Sequence, residues 1–211
     1  MKIELHLLEK SYQKKVIFQN LTTSFESGHR YGIAGNNGSG KSTLLKIIAG
    51  FITPNSGTAS YTLDEKIIPV EDIFQHITYA APYLDLPVDL NFYELLDFHF
   101  SIKQRVLSLS NEAINEHFQL PTHIPIRQFS SGMQQRVKLA LAFFTQSDLI
   151  LLDEPTETLD EQGFKSYLDL LQNFCQDRTT LIASNKDKDF ILCENLIRVS
   201  EFSGQKRPLI I

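Results

Sequence analysis

The chain has no tryptophan, two methionines and two cysteines in 211 residues. Cys175 and Cys193 stand in neither a CxxC nor a metal-ligand spacing, which excludes a disulfide framework and a thiolate metal site and suits a reducing, cytoplasmic compartment. Basic charge is also scarce, with 20 Lys and Arg against 25 Asp and Glu, a net of −5. Binding a phosphate backbone calls for the opposite sign, so no nucleic acid is expected as a partner. The longest apolar run, Leu139 to Phe144, is far short of the ~20 residues of a membrane span. The opening "MKIELHLLEK" carries acids where a secretion signal has its apolar stretch, so any membrane role is expected to come through a partner. The six histidines show no metal-ligand spacing, and no repeat or Pro/Gly/Ser-rich linker divides the chain. With 42% hydrophobic residues, residues 1–211 are expected to form one globular domain.

What is present is more specific. "GIAGNNGSGKST", Gly32 to Thr43, places four glycines, two asparagines and one lysine in twelve residues. Upstream, "IELHLL", "KVIF" and "RYGIA" read as strands, and downstream "KSTLLKIIAG" puts Leu44, Leu45 and Ile48 on one helical face with Gly50 as the stop. A strand, a glycine loop and a helix in that order are the context of the GxxxxGK[ST] phosphate loop, matched by Gly35, Gly40, Lys41 and Ser42. Glycines let the backbone curl so that the N–H groups of Asn36, Asn37, Gly38 and Ser39 converge on phosphate oxygens, and the following helix adds its positive end. Lys41 supplies a point charge to the β and γ phosphates, and Ser42, followed by Thr43, supplies a hydroxyl for Mg²⁺.

Residues 85–128 change character. Leu90, Tyr93, Leu96 and Phe100 fall close to helical spacing and predict a helical lobe, rich in Phe and Tyr, that serves as core or as a docking groove. Val137, Ala140, Leu141 and Phe144 then predict a helix beginning just after Ser130, Ser131 and Gly132. "LILLDE" reads as a strand buried on both faces, with Asp153 and Glu154 at its carboxyl end, where open α/β sheets bind ligands. Beside a phosphate loop, Asp153 is placed to orient the Mg²⁺ water shell and Glu154 to deprotonate an attacking water. A helix striped by Phe164, Tyr167, Leu168, Leu171, Phe174 and Cys175 and the strands "TTLIAS" and "ENLIRVS" complete a wound α/β pattern.

With these pieces in order, the sequence resembles the nucleotide-binding subunits of ATP-binding cassette (ABC) transporters, from about Lys10 to Val199. Walker A is "GNNGSGKS", the signature LSGGQ appears as "FSSGM", Walker B is "LILLDE", and the D-loop looks like "ETLD" ending at Asp160. The fold this implies is a P-loop cassette with a mixed central sheet, an N-terminal antiparallel β part and a helical sub-lobe over about residues 85–140. The resemblance also implies ATP and Mg²⁺, an adenine-stacking role for Tyr12, and a head-to-tail dimer with a second copy or a paralogous subunit. In that dimer Ser130, Ser131, Gly132 and Met133 of one copy close on the ATP held by the other, and a separate integral-membrane permease keeps the pair at the inner face of the cell membrane.

Three motifs depart from the family pattern. Ser131 and Met133 replace the signature's middle Gly and final Gln, Pro82 stands where a glutamine reaches the Mg²⁺ and the attacking water, and Asn185 takes the place of a histidine. An amide donates a hydrogen bond but neither carries charge nor titrates; Lys186 next door is a second candidate for that role. Losing a charged contact made in the transition state costs ~2–4 kcal/mol, so slow hydrolysis is expected. A soluble ATP-gated module with little turnover is the alternative. A small-molecule kinase would leave "FSSGMQQR" without a purpose.

Overall fold

The computed structural model describes residues 1–13 and 15–203. Two sheets carry the chain. Strands β1 (Lys2–Tyr12), β2 (Lys15–Phe25), β4 (Ser56–Leu63) and β5 (Lys66–Ile68) form an antiparallel sheet in the order β2-β1-β4-β5. The first two are long and bulged, with register shifts between Leu5 and Ser11. Strands β3 (Arg30–Ala34), β6 (Ile77–Ala80), β7 (Leu149–Asp153), β8 (Thr179–Ser184) and β9 (Asn195–Arg198) form a second sheet, parallel throughout, in the order β6-β7-β8-β3-β9. The mixture of strand directions expected from sequence therefore lies between two sheets.

The run "LILLD" shows why β7 is central. All five residues are buried, and the four apolar ones alternate between two hydrophobic cores. Leu149 and Leu151 join the antiparallel sheet and helix α1 (Lys41–Ile48), whereas Ile150 and Leu152 face helices α2 (Phe92–Ile102), α3 (Asn111–Glu116), α4 (Ser131–Phe144) and α5 (Glu161–Phe174). A strand covered on both faces has no polar side to offer, which explains a continuous apolar run where a half-buried strand would alternate. Among the described residues no helix is long and apolar enough to cross a membrane.

Several boundaries differ from the sequence reading. Leu90 precedes α2, because Asn91 caps that helix in a box with Glu94, and the fully buried face is Phe92, Leu95 and Leu96. Helix α4 starts at Ser131, earlier than expected, since the Ser130 hydroxyl accepts the Met133 N–H at 3.2 Å. The last strand stops at Arg198, and residues Val199–Phe202 turn into one 3₁₀ turn that buries Val199. The aromatic lobe is divided: Phe92, Phe118 and Phe129 are core, whereas Phe98 and Ile102 are exposed.

Candidate active site

Strand β3 ends at Ala34 and α1 begins at Lys41, so the loop between them lies at the carboxyl edge of the parallel sheet. Gly40 caps α1 with φ 105°, and a Cβ there would meet Ile17 Cγ2 at 2.4 Å, so only glycine fits. No side chain caps this helix, which leaves its first N–H groups and the positive end of its dipole available to an anion.

The loop is joined to Walker B through one buried ammonium. Lys41, 5% exposed, donates from Nζ to the Gly35 carbonyl at 2.8 Å and to that of Asn36 at 3.4 Å, and pairs with Glu154 Oε1 at 3.1 Å. Glu154 holds φ at 44°, a left-handed backbone that costs a non-glycine residue ~1–3 kcal/mol. Its N–H donates to the Ala183 carbonyl at 2.8 Å, and its Oε2 faces the Ser184 hydroxyl at 3.2 Å and accepts the Asn185 N–H at 3.4 Å. Asn185 in turn donates from Nδ2 to Asn37 Oδ1 at 2.9 Å, linking the end of β8 to the phosphate loop. A cavity of about 440 Å³ is bounded by Gly38, Lys41, Ser42, Thr43, Glu154 and Glu157.

Asp153 is fully buried, and its two oxygens are treated differently. Oδ2 accepts from the Tyr83 hydroxyl at 2.8 Å and lies 3.3 Å from the Tyr79 hydroxyl, whereas Oδ1 has no partner among the described residues. A buried carboxylate oxygen without a donor is costly unless something else satisfies it. An unpartnered carboxylate oxygen at the end of β7, with the Ser42 hydroxyl on the helix α1 packed against that strand, is a hard-oxygen donor set that fits Mg²⁺.

Three further residues escaped the sequence reading. Tyr79 and Tyr83 flank Pro82 at i and i+4, a repeat visible in "TYAAPY" but without meaning until β6 is laid beside β7. Asp189 is 1% exposed and accepts hydrogen bonds from Ser184 and Thr156 hydroxyls, each at 2.6 Å, so it braces the loop behind Glu154. Lys186, considered as a replacement charge, donates instead to the Thr156 and Glu157 carbonyls at 3.4 Å.

Tyr12 is half exposed, with the Lys10 ammonium 5.2 Å from its ring centre, and lines a cavity of about 840 Å³ together with Val16, Ile17, Asn37, Gly38 and Ser39. The signature residues stand apart. Ser130, Ser131, Gly132 and Met133 line neither cavity. They are fixed to the D-loop: a Cβ on Gly132 would meet the Thr158 carbonyl oxygen at 2.7 Å, and the Thr158 hydroxyl donates to the Ser131 carbonyl at 3.3 Å. Asp160 caps α5 by accepting the Gly163 N–H at 2.8 Å and also accepts from Arg136 at 2.5 Å. The Gly163 N–H first, then Arg136, hold its carboxyl below the usual range.

A glycine loop at the edge of a parallel sheet, a buried lysine and an acidic pair at the end of the neighbouring strand define a P-loop nucleotide-binding domain. The sequence model of the ABC transporter family matches residues 18–157. Among curated proteins, the uncharacterized ABC transporter ATP-binding protein YybJ of Bacillus subtilis is 31% identical, the alignment spanning 91% of this chain and 89% of that protein. The lantibiotic transport ATP-binding protein SrtF of Streptococcus pyogenes is 28% identical, with 87% and 79% covered. The spermidine/putrescine import ATP-binding protein PotA of Fusobacterium nucleatum is 32% identical over 79% of this chain, which spans only 46% of that relative. A putative ABC transporter ATP-binding protein from Pyrococcus furiosus superposes with TM-score 0.82 at 22% identity, covering 96% of this chain and all of that one. The ATP-binding cassette MJ0796, in a dimeric post-hydrolysis state bound to ADP and Pi, does so with TM-score 0.79 at 22% identity and 93% coverage of both. The chain belongs to the ABC transporter family and has the fold of its nucleotide-binding domain.

Proposed function

We propose that the chain is the ATP-binding and ATP-hydrolysing subunit of a transporter. It pairs head-to-tail with a second copy, or a paralogous subunit, around two ATP molecules and drives a separate integral-membrane permease from the inner face of the cell membrane. One observation carries this reading: a complete phosphate-loop network occupies one edge of the chain, while Ser130, Ser131 and Gly132 stand elsewhere with none of that network beside them. Two half-sites of this kind become whole only between two copies. The relatives named for import and for lantibiotic transport share this cassette, so cargo and direction belong to the membrane partner.

In this mechanism the amides from Gly35 to Thr43 cradle the phosphates, and the ring of Tyr12 stacks on adenine. Phosphate oxygens compete with Glu154 for the Lys41 ammonium, so nucleotide entry frees the Glu154 carboxylate. Ser42 and Asp153 would hold Mg²⁺, which when bound would draw negative charge from the phosphate oxygens. Glu154 then takes a proton from water as the water oxygen attacks the γ-phosphorus and ADP leaves. Asn185 donates an amide hydrogen to the γ-phosphate. The signature residues of the second copy, with Met133 and Asp160 flanking, exclude water from the far side. Because Asn185 carries no charge and Pro82 no donor, turnover is expected to be slow.

Calorimetric titration with Mg²⁺ and ATP tests the reading. The wild type takes up ATP with measurable heat, and Lys41→Ala removes it; no heat from the wild type overturns the proposal. Pro82 and Asn185 also favour a second reading, an ATP-gated clamp with negligible hydrolysis. Equal background rates of phosphate release from wild type and Glu154→Gln would select it.

A further inference from the structure

The face of Asp153 beside Pro82 is supplied with hydroxyl groups. Tyr83 reaches Asp153 Oδ2 at 2.8 Å, and its oxygen lies 2.5 Å from that of Tyr79. A phenol ordinarily titrates at about 10, so both side chains are hydroxyl donors at neutral pH. Each phenol has one proton to give. When Tyr83 gives its proton to Asp153 and Tyr79 gives its own to Tyr83, the Tyr83 oxygen keeps one lone pair for another donor. The ring is held in place from two directions. The Lys46 ammonium of α1, the helix that carries Ser42, lies 4.3 Å from its centre, and the preceding Pro82 carbonyl accepts from Lys138 of α4.

We propose that the Tyr83 hydroxyl is a positioning group of the metal site, fixing Asp153 through Oδ2 and accepting a hydrogen bond from a water of the Mg²⁺ held by Asp153 and Ser42. It supplies, one residue later, the polar contact that Pro82 cannot make. Oδ1, the buried oxygen without a partner, is then the face of Asp153 left for the metal and its waters. The Lys138 tether joins this contact to the helix that begins at the signature. This inference rests on the nucleotide-binding reading above.

The test measures nucleotide and metal separately on the full chain, with Mn²⁺ as the probe. ATP affinity is titrated in excess chelator, and the Mn²⁺ concentration that half-saturates the ATP complex is read from the Mn²⁺ spin-resonance signal. Tyr83→Phe keeps the ring over which Lys46 lies and removes only the hydroxyl. It is expected to leave chelator-state ATP affinity unchanged while raising the half-saturating Mn²⁺ concentration roughly tenfold to a hundredfold. Adding Pro82→Gln to that variant is expected to recover part of the shift. An unchanged Mn²⁺ requirement in Tyr83→Phe overturns the proposal. Wild type that binds no ATP in either condition overturns the nucleotide-binding reading instead.

Discussion

The N-termini of α1 and α4 both present backbone N–H groups, and they are finished in opposite ways. Helix α1 has a left-handed glycine and no capping side chain, and around it the chain has gathered its own buried charges, Lys41 at 5% exposure and Asp153 at none. Helix α4 is capped by the Ser130 hydroxyl, with Ser130 and Ser131 exposed and Gly132 pressed against the Thr158 carbonyl. Buried charges demand partners from within the same chain, since an unpaired one costs several kcal/mol. Exposed donors are satisfied by water and wait at no such cost. The first terminus is thus organised by its own fold, whereas the second leaves its serines to solvent, with Gly132 held against the Thr158 carbonyl.

This contrast breaks if the acidic wall behind α1 is dispensable. Glu154→Gln should lower steady-state phosphate release by roughly 100- to 1000-fold with ATP affinity retained, and an unchanged rate would remove the proposed base from the mechanism. At the other terminus, Gly132→Val drives a Cβ against an oxygen at 2.7 Å. ATP-dependent pairing, followed by light scattering, should weaken at least tenfold, about 1.4 kcal/mol, while ATP binding by the single chain persists. Equal losses of pairing and single-chain binding would mean that the two termini are not separate. Ser130→Ala is a milder probe of the same corner. Denaturant unfolding should show a loss of about 1 kcal/mol for the missing cap.

The smallest effect lies away from both. His99 Nε2 of α2 lies 2.7 Å from the Thr145 hydroxyl, and burial, then Lys103, holds its imidazole below the usual 6.5. Below pH 6.5 the unfolded chain binds a proton there that the folded chain refuses, so stability contributed by neutral His99 falls as the pH is lowered. The slope of unfolding stability between pH 7 and 5 should flatten in His99→Gln, with Lys103 and Lys138 near the same cavity unchanged.

The phosphate loop was legible because its chemistry is local. Gly35, Gly40, Lys41 and Ser42 act through spacing along eight residues, and the φ of 105° at Gly40 is a demand that one residue type answers. The apolar run before Asp153 was legible for a similar reason, since side chains alternating across a doubly covered strand leave a continuous pattern. The start of α4 was misplaced because Ser130 caps by a hydroxyl bond, and composition alone does not say which serine of "SS" will do so.

By itself, then, the sequence determined which short segments can curl around an anion, which strand must be buried on both faces, and where the acids follow it. The tertiary structure decided what stands beside those acids. Tyr83 is 70 residues from Asp153, Asn185 is 148 from Asn37, and Asp189 is 33 from Thr156. Such contacts follow from strand order and packing, which bring distant side chains within hydrogen-bonding reach, and no periodicity along the chain records them.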